Sequence, residues 1–226
     1  MQIPSYYLKR PDGPLEPGII SSFEKLFTEQ ILHAHGALVD YTLPAPKWQF
    51  LSYLCDEKEV VMHGSGVSTI REFEPRQSND TDEFGNQRAV YAASDGIWAT
   101  YFAIVDRDGL VLSLVNSCNR VFDDDGKAES YYFFSINGDA LPHQPWREGT
   151  MYILPKDTFE QQSSSRTGFE STQWRSFESV KPLAKITVGP TDFPFLDQIR
   201  GHDLAEVTRR AAENPGGFPW LEDGEE

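Results

Sequence analysis

The stretch of this sequence with the clearest chemical potential is VVMHGSG, residues 60–66. An apolar run ends there in a histidine, two glycines and a serine. Gly64 and Gly66 would weaken a buried strand, and glycine inside a strand often marks a close approach of the backbone to another group. His63 supplies an imidazole that can form a hydrogen bond beside this bare backbone. The pattern favours a binding edge, and the alternative is a structural histidine bonded to a backbone carbonyl.

A second group of candidates lies in VYAASDGIWATYF, residues 90–102. Tyr91 belongs to a short run typical of a strand, Ser94 stands where a helical pattern begins, and Tyr101 lies within that pattern. Rigid aromatic rings can form walls against a planar ligand. The alternative for Tyr91 is a core aromatic side chain. Each of these two groups alone is weak evidence for a binding site, so the order in which they follow one another along the chain is more informative than either group by itself.

Several common sites are disfavoured by the absence of their motifs. The sequence has neither GxGxxG nor GxxxxGK[ST], the fingerprints of dinucleotide-binding and P-loop sites. His33 and His35 stand two apart in a predicted helix, and the acidic run 123–126 lacks the alternating ligands and closing glutamate of a calcium loop. We therefore predict no metal. Cys55 and Cys118 belong to no CxxC pattern and are interpreted as buried apolar residues.

The composition predicts a globular protein with an acidic surface. The 226 residues are 39% hydrophobic and 13% aromatic, with a formal net charge of −15. Such a surface repels phosphate backbones and disfavours nucleic acid as a partner, although a nucleotide needs only a few local donors. The first residues lack the apolar core of a signal peptide, and no apolar run has the length of a membrane span. We expect a cytoplasmic, reduced protein with no membrane contact.

The elements that must position these side chains follow from hydrophobic periodicity. Helical spacing of apolar residues predicts helices over 19–35, 47–59 and 94–105, the first capped by Ser21 or Ser22 and the third by Ser94. Short β-branched or aromatic runs bounded by turn residues predict strands at 60–66, 88–93, 109–115, 130–136, 149–155 and 182–188. Helices followed mainly by strands predict an α+β fold.

Three motifs taken together resemble a known signature. HGSG, VYAASDGIWATYF and TQWRSFESVKPLAKITV, which span residues 63–188, resemble in order and spacing the three motifs of the ADP-ribosyltransferase superfamily, in its His-Tyr-Glu branch of poly(ADP-ribose) polymerases and diphtheria toxin. The resemblance implies two small, mostly antiparallel sheets around a cleft. It assigns 59–205 to the ADP-ribosyltransferase-like domain, with an N-terminal arm and helical region (1–58) packed on it. Residues 206–226 would form a C-terminal helix end and acidic tail.

The resemblance also implies how NAD would be bound as the substrate. Gly64 would present its backbone to the nicotinamide carboxamide, since a side chain there would block the approach. His63 would hydrogen-bond a ribose hydroxyl, and Ser65 would add a polar contact. Tyr91 and Tyr101 would stack on the nicotinamide ring. A helix beginning near Ser94 would hold the second tyrosine in place.

The third motif departs from the family at its most important residue. The position that matches the catalytic glutamate is Gln173, which can keep a hydrogen bond but supplies no full charge to a developing cation. Glu170 or Glu178 could take over that role if the loop were built differently. The resemblance implies a mono-ADP-ribosyltransferase, or an NAD glycohydrolase if water is the acceptor. The acidic surface favours a protein or small molecule over nucleic acid as the acceptor. The alternatives are an NAD- or nucleotide-binding regulatory module and an interaction protein in which the motifs coincide by chance.

Overall fold

The structure is a computed structural model that describes residues 3–11, 13, 15–80, 82–123, 125–164 and 168–220. The last part of the predicted C-terminal segment, residues 221–226, lies outside the described residues. Within them the predicted α+β class is confirmed, with four α-helices and two mostly antiparallel sheets. The helices are α1 (Pro17–Glu29), α2 (Lys47–Glu57), α3 (Gly96–Ile104) and α4 (Leu204–Glu213).

The three predicted helices are confirmed as α1, α2 and α3, but two of their predicted caps are wrong. α1 begins at Pro17 rather than at a serine, because proline suits the first turn, where a missing N–H leaves no hydrogen bond unmade. α3 is capped by Asp95 instead of Ser94, and the Asp95 carboxylate accepts a hydrogen bond from the backbone N–H of Trp98 at 2.8 Å. This cap fixes the start of the helix that covers the candidate site.

Twelve strands are present among the described residues. They are β1 (Leu8–Lys9), β2 (Val60–Ser65), β3 (Arg76–Gln77), β4 (Arg88–Ala93), β5 (Leu114–Phe122), β6 (Ala128–Asn137), β7 (Gly149–Pro155), β8 (Glu160–Gln161), β9 (Phe169–Ser171), β10 (Gln173–Ser176), β11 (Ala184–Val188) and β12 (Arg200–His202). One sheet has the order β1-β6-β5-β9, with β12 parallel to β6. The other has the order β11-β7-β2-β4-β10-β8, with β3 beside β4.

The predicted strand at 109–115 is wrong, because the strand begins only at Leu114. Asn137 explains the difference. Its side-chain oxygen accepts the N–H groups of Leu112 and Ser113, and its side-chain nitrogen donates to the carbonyl of Leu110. These backbone groups are therefore satisfied by one amide rather than by a neighbouring strand.

Helix α3 lies between the two sheets and connects them through packing. On one side it lies directly against β2 and β7, and on the other the Tyr101 hydroxyl donates to the carbonyl of Ser135 in β6 at 3.1 Å. α2 packs against the start of α3, where Gly96 lies against Leu51. A single apolar cluster joins residues of α1, α2 and α3 with both sheets, so the region 1–58 contributes directly to the core.

Candidate functional site

The candidate site begins where two neighbouring strands separate. β2 pairs with β7 along its six residues, but it meets β4 at one position, Met62 opposite Ala93, among the residues described. The Tyr91 carbonyl lies just beyond this bridge and accepts a hydrogen bond from His63 Nδ1 at 2.7 Å. In the gap between the two strands, the imidazole therefore donates the hydrogen bond that a backbone N–H of β2 would otherwise give to the Tyr91 carbonyl. This is the structural role considered for His63 in the sequence.

That hydrogen bond fixes the chemical state of the His63 ring. A carbonyl oxygen can only accept, so Nδ1 carries the hydrogen and Nε2 of the neutral ring keeps its lone pair. Burial lowers the pKa of His63 below its ordinary value, and the bond to the Tyr91 carbonyl offsets this only in part. The ring is therefore neutral at pH 7, and Nε2 can accept a hydrogen bond from a hydroxyl group.

The strand register places three of the residues predicted for the site on one face of the sheet, namely Gly64, Tyr91 and Gln173. Residues directly opposite in antiparallel strands share a face, which puts Met62, Ala93 and Gln173 in one row across β2, β4 and β10. Gly64 and Tyr91 lie two residues further along their strands and share that face. Helix α3 covers this face, so the cavity forms between the helix and the separating strands.

A cavity of about 370 Å³ occupies this place. Its lining consists of Met62, His63, Gly64, Ser65, Gly66, Tyr91, Ala92, Ala93, Trp98, Ala99, Phe102, Arg107, Arg147 and Gln173. Five residues predicted from the sequence thus come together: His63, Gly64, Ser65, Tyr91 and Gln173. Three others, Ser94, Tyr101 and Glu170, are not part of the lining.

Tyr101 faces the core, which corrects its predicted place as a wall of the cavity. The side chain is fully buried, its ring lies 4.8 Å from that of Phe134, and its hydroxyl is bonded to β6. Trp98 and Phe102, one helical turn apart on α3, supply the aromatic wall instead. The Trp98 indole N–H is held by the side-chain oxygen of Asn116 at 2.7 Å.

Ser94 and Glu170 also lie away from the cavity. Ser94 is buried beside the start of α3, and its hydroxyl has no hydrogen-bond partner among the described residues. Glu170 belongs to β9 in the other sheet, where it accepts a hydrogen bond from Gln161 at 3.0 Å and lies 3.9 Å from Arg120. The chain crosses between the sheets at Thr172, so Glu170 and Gln173 are separated despite their closeness in sequence.

Tyr91 and Ser65 are held by local hydrogen bonds. The Tyr91 hydroxyl accepts from the backbone N–H of Gln87 at 2.8 Å and lies 3.0 Å from the carbonyl of Phe84. This anchors the ring from the loop that precedes β4. The Ser65 hydroxyl accepts from the N–H of Val67, which leaves its own hydrogen available to a ligand. Within the part of the chain described, the side-chain amide of Gln173 has no partner.

The charges of the lining are positive. Arg107 and Arg147 were not anticipated from the sequence, and no aspartate or glutamate lines the cavity among the described residues. Nor do three potential ligands of the His, Cys, Asp or Glu type come together for a metal anywhere in that part of the chain. The cavity therefore has an aromatic wall, a neutral imidazole and amide, and a cationic side.

A second cavity, of about 760 Å³, lies between β12, α4 and the segment around Trp220. It contains none of the residues predicted from the sequence. Its polar lining includes the carboxylates of Asp139, Asp203 and Glu206, which would repel phosphate groups. For a nucleotide ligand the smaller cavity is therefore the better candidate.

Comparison with known proteins identifies no relative, because the chain matches no protein-family model, no curated protein and no solved structure. In addition, none of the helices among the described residues combines the length and apolar character needed to cross a membrane.

Replacing Gly64 by alanine is expected to lower the free energy of unfolding by about 1–3 kcal/mol through overpacking. An added Cβ would lie 1.9 Å from the carbonyl oxygen of Ala99, so α3 would have to move away from β2. Urea unfolding measures the effect. Gly189→Ala is the matched control, since its Cβ would have no atom within 4 Å. Equal stabilities of the two variants would contradict close packing of α3 at Gly64.

Proposed function

We propose that the protein binds NAD, with the nicotinamide end in the cavity between β2, β4 and α3, and cleaves the nicotinamide–ribose bond as an ADP-ribosyltransferase-like protein. The observation that carries this proposal is the convergence of His63, Gly64, Tyr91 and Gln173. These residues come from three separate strands and line one cavity. The three motifs that suggested the activity are thus neighbours in space.

The chemistry of the lining suits a nicotinamide riboside. Tyr91, Trp98 and Phe102 offer aromatic surfaces to a planar ring. Nε2 of His63 can accept a hydrogen bond from a ribose hydroxyl, and the Gln173 amide can bond a second one. When the glycosidic bond breaks, nicotinamide leaves as a neutral pyridine with the bonding electrons, and C1′ of the ribose becomes cationic until an acceptor attacks it. A protein or small molecule suits an acidic surface better than nucleic acid as that acceptor.

A second candidate function is a regulatory module that binds NAD without turning it over. Two observations favour it. Gln173 stands where the family carries its catalytic glutamate, and the described lining contains no carboxylate to stabilise the cation at C1′. Both candidates use the same cavity, so binding and turnover must be measured separately.

Isothermal titration with NAD and with nicotinamide, together with an assay of nicotinamide release, tests the proposal. Binding with release supports the transferase, and binding without release supports the module. If neither NAD nor nicotinamide binds at millimolar concentration, the proposal fails and an interaction protein is the better interpretation.

Replacing His63 by alanine is expected to weaken NAD binding about tenfold, because one hydrogen bond to the ribose is lost. His143→Ala is the control, since His143 is exposed and lies outside the cavity lining. Thermal unfolding of both variants checks that they remain folded. If a folded His63→Ala variant binds NAD with unchanged affinity, the imidazole does not contact the ligand.

A further inference from the structure

The cationic side of the cavity lies beside Gly66, at the end of β2. We infer that Arg107 and Arg147 form a diphosphate-binding site that recognises the phosphate groups of the dinucleotide. The identity of the ligand rests on the proposed function, whereas the anion site itself rests on the contacts described below.

Arg147 is oriented by aspartates that use only one of its nitrogen atoms. Nη1 lies 2.6 Å from Asp108 Oδ2 and 3.3 Å from Asp106 Oδ1. Nε is buried and has no hydrogen-bond partner among the described residues. Nη2 likewise makes no hydrogen bond there, so the whole Nε–Nη2 edge is unused. That edge carries two parallel N–H donors, the geometry that binds two oxygens of one phosphate group. Because Nε is buried, an anion first meets Nη2, and the paired contact requires the guanidinium to shift.

Gly66 brings the guanidinium close to the backbone of β2. A Cβ at this position would lie 2.0 Å from Nη2 of Arg147. Any residue with a Cβ would therefore force the guanidinium to shift from its present position. This gives the second glycine of HGSG a physical role, which the sequence alone left open. Two glycines of one motif thus serve different purposes, Gly64 for the helix and Gly66 for the arginine.

Arg107 adds a second positive charge to the same side. Its side chain is exposed and lines the cavity, and it takes part in none of the ion pairs between described residues. The chain carries a net charge of −15, and yet the described lining contains two guanidinium groups and no carboxylate. Because Asp106 and Asp108 already pair with Arg147, the positive charge that attracts an anion to this place comes mainly from Arg107.

The size of the cavity indicates where the phosphates would lie. About 370 Å³ is near the lower end of the range for small-molecule pockets, so a dinucleotide bound by its nicotinamide would extend out of the cavity. Gly66 is two residues beyond Gly64, or about 7 Å along the strand. One ribose bridges such a distance, which brings the diphosphate to the two arginines.

Titration with inorganic pyrophosphate, ADP-ribose and nicotinamide tests the inference. Arg147→Lys keeps a positive charge for Asp108 but removes the paired donors, and we expect it to weaken ADP-ribose and pyrophosphate binding about 10- to 100-fold. Arg107→Gln should have a similar effect. Nicotinamide affinity should stay unchanged in both. Asp108→Asn should strengthen pyrophosphate binding, because one competing charge is removed.

Arg209→Gln is the control for loss of one positive charge, since Arg209 lies in α4 outside this cavity. The inference is overturned if both cavity variants bind ADP-ribose and pyrophosphate as the unchanged protein does, even when nicotinamide binds normally. The opposite result, arginine-dependent pyrophosphate binding without nicotinamide binding, would support the anion site and contradict the proposed function. No pyrophosphate or ADP-ribose binding to the unchanged protein would also overturn the inference.

Discussion

Replacing Gln173 by glutamate is expected to raise the rate of nicotinamide release from NAD by about 100- to 1,000-fold, the size of a typical electrostatic contribution to catalysis. The side chain of residue 173 lies in the cavity lining, on the same face of the sheet as Tyr91 and Gly64. A carboxylate there would stabilise the positive charge that develops at C1′. The native amide keeps the shape and the hydrogen-bonding capacity of this group but lacks its charge.

Two control variants separate the charge at residue 173 from other effects. Gln173→Leu has a similar size and no charge, so it should not accelerate release. Glu170→Gln removes a carboxylate from β9, outside the cavity lining, and should leave the rate of release unchanged. Accelerated release in the Gln173→Glu variant alone would support the transferase geometry. If this variant binds NAD but releases nicotinamide no faster than the native protein, the geometry is wrong for cleavage and the binding module is favoured.

The fold was predictable from sequence wherever local pattern and final environment agree. The strands β4 and β7 have the predicted bounds because their apolar and β-branched runs are buried in the middle of a sheet. Strand β5, with the sequence LVNSCNRVF, was missed over most of its length because it is rich in polar residues. It forms by antiparallel pairing with β6 along its whole length, a partner that its own sequence does not reveal.

The candidate site was predictable in its strand residues and not in its helix. Helical spacing in the sequence links Ile97, Tyr101 and Ile104, and all three side chains are fully buried. That spacing describes the core face of α3, which is why Tyr101 points into the interior and not into the cavity. Trp98 and Phe102, four residues apart, form the neighbouring face that reaches the cavity.

The cationic side of the cavity could not be read from the sequence at all. Arg107 follows α3, whereas Arg147 precedes β7, and each is an ordinary surface residue by local pattern. They come together because the segment after α3 pairs with the segment before β7: Val105 forms an antiparallel bridge with Trp146, and the Arg147 N–H donates to the carbonyl of Ile104 at 2.8 Å. Long-range pairing of this kind determines which charged side chains share a cavity, whereas the composition gives only the net charge of the whole chain.

Arg10→Met is expected to lower the free energy of unfolding by about 3–5 kcal/mol, because it leaves a buried carboxylate without its charged partner. Asp95 is fully buried, and its Oδ2 accepts hydrogen bonds from Arg10 Nη2 at 2.9 Å and from the Tyr132 hydroxyl at 2.8 Å. Arg10 also contacts Asp56 at 2.6 Å through Nη1. The N-terminal segment therefore neutralises the carboxylate that caps α3.

The control for this substitution is the neighbouring Lys9→Met. Lys9 contacts Glu129 at 2.8 Å, but both side chains are partly exposed and the pair is screened by solvent, so the loss should be much smaller than for Arg10→Met. Urea unfolding compares the two variants. Adding Asp95→Asn to Arg10→Met should recover part of the stability, because asparagine can still cap α3 and carries no buried charge.

Loosening of the Asp95 cap should also alter the position of Trp98 in the cavity. The same carboxylate accepts a hydrogen bond from the backbone N–H of Trp98, whose ring lines the cavity. We therefore expect Arg10→Met to weaken nicotinamide binding, and the double variant to restore it together with stability. A loss of stability in Arg10→Met no larger than that in Lys9→Met would mean that Tyr132 and the helix N–H satisfy Asp95 by themselves. In that case the N-terminal segment would not support the wall of the cavity.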